Sequence, residues 1–315
     1  MRNLIMLKYK MQFIILAIAA WLSAFSGVHA ETRHLSKSED WKVVSVEEKD
    51  KYLLSVAKIK QLVSAGKTRE VRKAWDQLRK DFPEISGAEL DAFIEAEMFF
   101  SKGKFAKAIR SYDKFLAAYP QGRLREAALD RQFAIATAFL AGQKVTVLGI
   151  FRIKGYAEGE KIMNKISDLA GDAPIGIKAA VAVAENYETR GKFAEAYHKW
   201  SQISSQWPTE QINKYALLSM ARCKHAAYKG PKYDGSYLVS AKSYYENFKL
   251  RYPGDVEGLD IDKKLRLIDE QRAYKEFQIG EYYRKSDNKQ SANFYYQMVI
   301  NNWSNTKAAE IAKQR

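Results

Sequence analysis

A single cysteine, Cys223, stands in the 315 residues, so no internal disulfide is available. Only 6 prolines and 17 glycines are present, too few turn formers for the many reversals of an all-β fold, so the scarcity favours helices. Beyond the first thirty residues no run is long and apolar enough to span a bilayer. Ser/His/Asp arrangements, closely spaced histidines and glycine-rich phosphate loops are missing, so no catalytic, metal or cofactor site is expected. Of four histidines, His29 falls in the leader, His34 in a polar stretch and His198 on a helix surface. Cys223 and His225 lie two apart on an expected helix and point in different directions, which suits Cys223 as a small buried hydrophobe.

What the chain does have begins with a leader. Arg2, Lys8 and Lys10 precede an uncharged, mostly apolar run from Phe13 to Phe25. Val28 and Ala30 then give the small residues of a cleavage site, so residues 1–30 read as a secretory signal with cleavage before Glu31. An uncleaved membrane anchor is the alternative. Residues 31–50 are polar and expected to be flexible, followed by a folded region from 51 to 315. Loss of the leader removes three basic residues and no acidic one from a chain whose net charge is +15. An exported basic protein meets anionic lipid headgroups, cell-wall polymers or polypeptides, so no nucleic-acid partner is expected and peripheral contact with an anionic membrane surface is allowed. The basic residues are spread along the whole chain, which also fits plain solvated helix faces.

Five of the six prolines close a similar phrase: VRKAWDQLRKDFP to Pro83, AIRSYDKFLAAYP to Pro120, IMNKISDLAGDAP to Pro174, AYHKWSQISSQWP to Pro208 and AKSYYENFKLRYP to Pro253. A sixth, ANFYYQMVINNWS, ends in Ser304. Twelve residues before the close sit Val71, Ala108, Ile162, Ala196, Ala241 and Ala292; eight before sit Trp75, Tyr112, Ile166, Trp200, Tyr245 and Tyr296. Five before sit Leu78, Phe115, Leu169, Ile203, Phe248 and Val299. That spacing places small, large and apolar side chains on one helical face, which proline then ends. Gly66, Gly103 and Gly191 lie seventeen residues before Pro83, Pro120 and Pro208, each suited to the left-handed turn that closes a preceding helix; Asp287 takes this place in the last unit. Ahead of these turns come Leu62, Phe99, Tyr187 and Tyr283, and three residues earlier Ile59, Ala96, Ala184 and Gly280, the last three small enough for close helix approach.

This is a tetratricopeptide pattern, and the 34 residues from Pro174 to Pro208 equal its period. The expected fold is all-α, a right-handed superhelix of about six helical hairpins with a concave wall. Two hairpins carry insertions, QKVTVLGIFRIKGYAE in the third and KHAAYKGPKYDGSYLV in the fifth. The first, with Leu148, Ile150 and Phe151 beside basic residues, reads as an interaction loop for a membrane or partner, or as a loop folded over its own hairpin. The second, from Tyr228 to Gly235, reads equally as a tyrosine-bearing contact surface or a rigid turn. Residues 254–273 read as one amphipathic helix joining the fifth and sixth hairpins. Glu97, Glu185 and Glu281 each follow the small residue of a first helix; with Phe93, Phe100, Glu188 and Arg284 they are expected to line the concave wall. Such a wall holds an extended polypeptide, or else is a solvated face laced with ion pairs.

Residues 50–313 resemble the BamD (YfiO) family of outer-membrane protein assembly factors, on the lines FFSKGKFAKAIRSYDKFLAAYP, ENYETRGKFAEAYHKWSQISSQWP and FQIGEYYRKSDNKQSANFYYQMVINNW. The resemblance implies a non-enzymatic periplasmic scaffold that engages the assembly barrel and nascent outer-membrane proteins. It implies no contact residues. The chain departs from the family in lacking the N-terminal cysteine used for lipid anchoring and in carrying an extra hairpin. An envelope scaffold for cell-wall or division machinery is the alternative.

Overall fold

The computed structural model describes residues 33–35, 41–43, 46–83, 87–147, 151–208 and 210–315. The expected signal, residues 1–30, lies outside them, as do Leu148 and Ile150. The chain divides into two compact units, residues 1–115 and 116–315.

The first unit opens with two short antiparallel strands, β1 (Arg33–Leu35) and β2 (Trp41–Val43). Helices α1 (Val46–Ser64) and α2 (Thr68–Asp81) form the first hairpin. Its core is Ile59 and Val63 against Val71, Trp75 and Leu78, so the repeated phrase of α2 does turn its apolar face inward. Ile94 and Met98 of α3 (Ala88–Ser101) pack on that core. Helix α4 (Phe105–Ala118) completes the second hairpin and runs across the boundary between the units. Ala96 and Ala108 are completely buried, which lets α3 and α4 approach closely.

The second unit holds α5 (Arg125–Leu140), α6 (Tyr156–Ala170), α7 (Pro174–Thr189), α8 (Phe193–Gln206), α9 (Glu210–Ala226), α10 (Ser236–Arg251), α11 (Ile261–Lys285), α12 (Lys289–Asn302) and α13 (Lys307–Ala312). Consecutive helices pack in pairs throughout, as expected of an all-α tetratricopeptide-like solenoid. Successive cores line this unit. Trp200 and Ile203 sit with Ala180, Ala184 and Cys223; Tyr245 and Phe248 sit with Leu238 and Ile268; Tyr296 and Val299 sit with Phe277 and Ala309. Glu270 caps the short α13, its carboxylate accepting from the backbone N–H groups of Lys307 and Ala308.

Five of the hairpin turns share one hydrogen bond. The N–H groups of Lys67, Lys104, Gln143, Lys192 and Asn288 donate five residues back to the carbonyls of Leu62, Phe99, Ala138, Tyr187 and Tyr283. This six-to-one closure needs a left-handed residue just before the donor. Gly66, Gly103, Gly142 and Gly191 supply it, and Asp287 adopts it at φ 58°. A Cβ on Gly191 would touch nothing within 4 Å, so only backbone conformation penalises a side chain there. Gly191→Ala is expected to cost about 1 kcal/mol of stability, read as a lowered midpoint in urea unfolding.

The phrase endings also share a geometry. Phe82, Trp207, Tyr252 and Trp303 each donate a last helical bond to Leu78, Ile203, Phe248 and Val299 and then leave helical conformation at φ between −123° and −140°. Trp303 does so before Ser304, so the break is set by this aromatic as well as by the proline that usually follows.

Three expectations are corrected. In the third hairpin, Pro174 does not close α6; Gly171 ends that helix at φ 53° and Pro174 opens α7, where its missing N–H costs nothing. The buried face of α6 accordingly runs through Ile162, Met163, Ile166 and Ser167, and Leu169 is left 42% exposed. The insertion read as a loop is a β-ribbon, β3 (Lys144–Val147) paired antiparallel with β4 (Phe151–Lys154), whose alternating apolar and polar residues suit strands. Residues 254–273 do not form a separate joining helix: Pro253–Asp255 is a single tight turn, Asp260 is left-handed, and α11 then runs unbroken for 25 residues into the sixth hairpin.

Candidate functional site

Of the seven residues expected on a common wall, three belong to the first unit and four to the second, where they form two groups. In the first unit, Glu97 of α3 is 5% exposed and accepts a hydrogen bond from the Tyr112 hydroxyl of α4. Phe93 is half-buried, its ring 6.0 Å from that of Tyr112 and 5.7 Å from that of Phe115. Phe100 is half-buried against the first core and Phe105. All three thus contribute to packing within their unit.

One group of the second unit lies between α7 and α9. Glu185 is exposed and accepts from the Tyr215 hydroxyl at 2.8 Å. Glu188 accepts from the indole N–H of Trp200 at 2.6 Å and from Arg222 at two nitrogens, 2.7 and 2.8 Å away. That paired bond raises the Arg222 pKa above its ordinary value, against burial acting the other way. Burial first, then the bond to Glu185, pushes the Tyr215 phenol up. Two carboxylates, a phenol and a guanidinium therefore join the first helices of neighbouring hairpins. Tyr215 and Arg222 were not singled out in the sequence. Arg222 was findable: it lies 34 residues after Glu188, one full repeat period, so the template puts the two on adjacent helices.

The other group is at the C-terminal end. Glu281 of α11 accepts from Arg284 at 2.9 Å, from the Tyr296 hydroxyl at 2.6 Å and from Arg315 at 3.2 Å. The Arg284 hydrogen bond, with Tyr296 and Arg315 adding to it, outweighs burial and holds the Glu281 pKa at about 2, from an ordinary 4.5. Because the folded value is the lower one, the carboxylate contributes stability above about pH 4.5 that is lost as pH falls toward 2. Glu281→Gln is expected to flatten the loss of stability across that window, measured by urea unfolding at stepped pH.

A register links these places. Tyr112 reaches Glu97 and Tyr296 reaches Glu281 across the same fifteen residues. In the fourth hairpin the longer indole of Trp200 reaches one turn further, to Glu188, and Glu185 is left to pair with Tyr215 on the next hairpin.

Of the expected interaction loop, Leu148 and Ile150 fall outside the described residues, and Phe151 pairs in register with Val147. The ribbon's register also pairs Val145 with Ile153, which is 53% exposed, and Lys144 with Lys154. The Arg190 guanidinium stacks at 4.1 Å over Tyr156 at the ribbon's base.

The fifth hairpin's insertion is a hydrogen-bonded turn on which Tyr233 is exposed. The Lys275 ammonium of α11 donates to the carbonyls of Pro231 and Tyr233 at 3.0 and 2.8 Å, and Asp234 accepts from the Ser236 N–H. Cys223 is buried beside Trp200, and burial pushes its thiol up to about 12, far from the thiolate needed for nucleophilic chemistry. Among the described residues no group of three or more His, Cys, Asp or Glu is arranged to hold a metal ion, and no helix is long and apolar enough to cross a membrane.

Residues 93–122 match the model of the tetratricopeptide repeat family. Among solved structures, this chain aligns with PilW, a widely conserved type IV pilus biogenesis factor, at 16% identity over 86% of this chain and 100% of that one, with a TM-score of 0.28. It also aligns with the C-terminal part of a TPR repeat-containing protein from Cytophaga hutchinsonii, at 15% identity over 84% of this chain and 98% of that one, with a TM-score of 0.35. No curated protein matches the chain. The fold is that of tetratricopeptide-like helical solenoids, and the chain carries the repeat for which that class is named.

Proposed function

We propose that this protein is a non-catalytic scaffold of the cell envelope that binds polypeptides and acts in outer-membrane protein assembly. The observation that carries the binding role is the run of stacked hairpins whose first helices share polar side chains across an open face. Glu185, Tyr215 and Arg222 there are solvent-reachable yet pre-oriented by their neighbours. An extended chain crossing α7 and α9 exchanges some of these side-chain bonds for bonds to its own amides and carbonyls, a low-cost trade at a surface. The assembly role and the export that goes with it rest on the resemblance of residues 50–313 and on the leader-like first thirty residues.

Crosslinking in intact cells followed by affinity capture tests this reading. Recovery of the assembly barrel or nascent outer-membrane proteins is the expected result. Recovery of wall or division proteins in their place would move the protein to the alternative scaffold role.

A further inference from the structure

The insertion of the fifth hairpin meets α11 around an open pocket of about 300 Å³ lined by Tyr228, Lys229, Gly230, Pro231, Gln271 and Tyr274. The pocket is held open by bonds independent of any ligand. Lys275 pins the loop through two carbonyls, the Tyr233 N–H closes a turn onto Gly230, and Gly230 adopts φ 120°, a conformation that suits glycine. Little ordering is left to be done on binding.

The lining has a one-sided chemistry. Its apolar surface is two phenol rings and a pyrrolidine ring, with Tyr274 44% exposed. Its side-chain polar groups can all donate, and the Lys229 ammonium can only donate. Gln271 has its oxygen engaged by His225 at 2.8 Å, which leaves its amide N–H groups to face a ligand. Lys229 brings an ammonium and Tyr274 a hydroxyl. The Tyr228 hydroxyl is enclosed, so this residue offers a ligand its ring.

A ligand matched to this wall has flat or ring-shaped apolar groups and is rich in acceptors for these donors. An extended proline-rich segment is such a ligand. Proline has no N–H, its polyproline helix makes no internal hydrogen bonds, and its carbonyls point outward between the rings. We infer that the pocket between the 228–233 loop and α11 is a docking site for a proline-rich stretch of a partner polypeptide. Rings stack against Tyr228, Tyr274 and Pro231, and carbonyls accept from Gln271 and Lys229. The inference rests on the polypeptide-binding reading above and names the kind of segment that one part of the molecule takes.

The test is a titration of the purified full chain with an acetylated, amidated nonaproline, followed by amide NMR shifts, beside a blocked Ala/Gln peptide of equal length. Saturable binding of nonaproline that perturbs residues 228–233 and 271–275, with weaker binding of the Ala/Gln peptide, is expected. Tyr274→Ala and Lys275→Met should each weaken it about tenfold, as loss of an aromatic anchor or of its support does. Tyr282→Ala, at another exposed tyrosine, should leave it unchanged. Circular dichroism melts of the variants establish that they fold. No saturation, equal affinity for the two peptides, or wild-type binding by folded Tyr274→Ala would overturn the inference. Tyr274→Ala that still captures its partners in cells would overturn the pocket while leaving the scaffold role intact.

Discussion

Trp200→Ala lowers the unfolding free energy by about 3–5 kcal/mol. Trp200 has no exposed surface, and its indole fills the fourth hairpin between Ala184, Ala196, Ala216 and Cys223. Those neighbours are small and helical, so they cannot collapse into the space left behind, and the cavity term stays near the top of its range. The indole N–H also holds Glu188, which in turn holds Arg222 on the next hairpin. The substitution therefore loosens the α7–α9 face as well as the core. Trp200→Phe separates the two effects: it keeps most of the ring and removes the N–H, at a cost of about 1–2 kcal/mol. Urea unfolding followed by helical circular dichroism measures both. A midpoint for Trp200→Ala equal to that of Trp200→Phe would contradict this packing.

Gly280→Leu is expected to cost about 3 kcal/mol or more, from overpacking and a broken hydrogen bond together. A Cβ at Gly280 would lie 2.8 Å from the Tyr296 ring and 3.3 Å from the Cβ of Tyr295, which rides on helix backbone. Leucine would push α12 away from α11. The same shift pulls the Tyr296 hydroxyl from Glu281, so the cost exceeds the steric term alone. Thermal melts would show it as a lower and broader transition, because the sixth hairpin would unfold ahead of its neighbours. Gly280→Leu melting with the wild type would show that the two helices are not held at this spacing.

These two positions also show what was legible in the chain. The small-to-large spacing fixed which residues face inward: Ala196 and Trp200, or Ala292 and Tyr296, are buried as the repeated phrases require. Asp287 at a glycine position was readable too, since position in the template forces its left-handed backbone. Legibility failed where the template is interrupted. In the third hairpin the phrase reached Pro174 by counting, but Gly171 supplies the real stop, and one glycine of positive φ outweighs the spacing. The paired strands of residues 144–147 and 151–154 show only a period of two, too short a signal to separate from loop. Glu97 and Glu281 were placed in the right helices, yet their bonds to Tyr112 and Tyr296 depend on how long side chains bend, which periodicity does not encode. Arg222 needed the one-period offset between neighbouring first helices, a long-range regularity invisible within any single phrase, and Tyr215, 30 residues after Glu185, does not follow that offset.

Amide hydrogen exchange with and without a bound unfolded outer-membrane protein segment tests the scaffold account most directly. Protection concentrated on the first helices α7, α9 and α11, with the second helices α8 and α12 unchanged, is the predicted result. Exchange unaltered by the segment, or protection confined to α8 and α12, would contradict it.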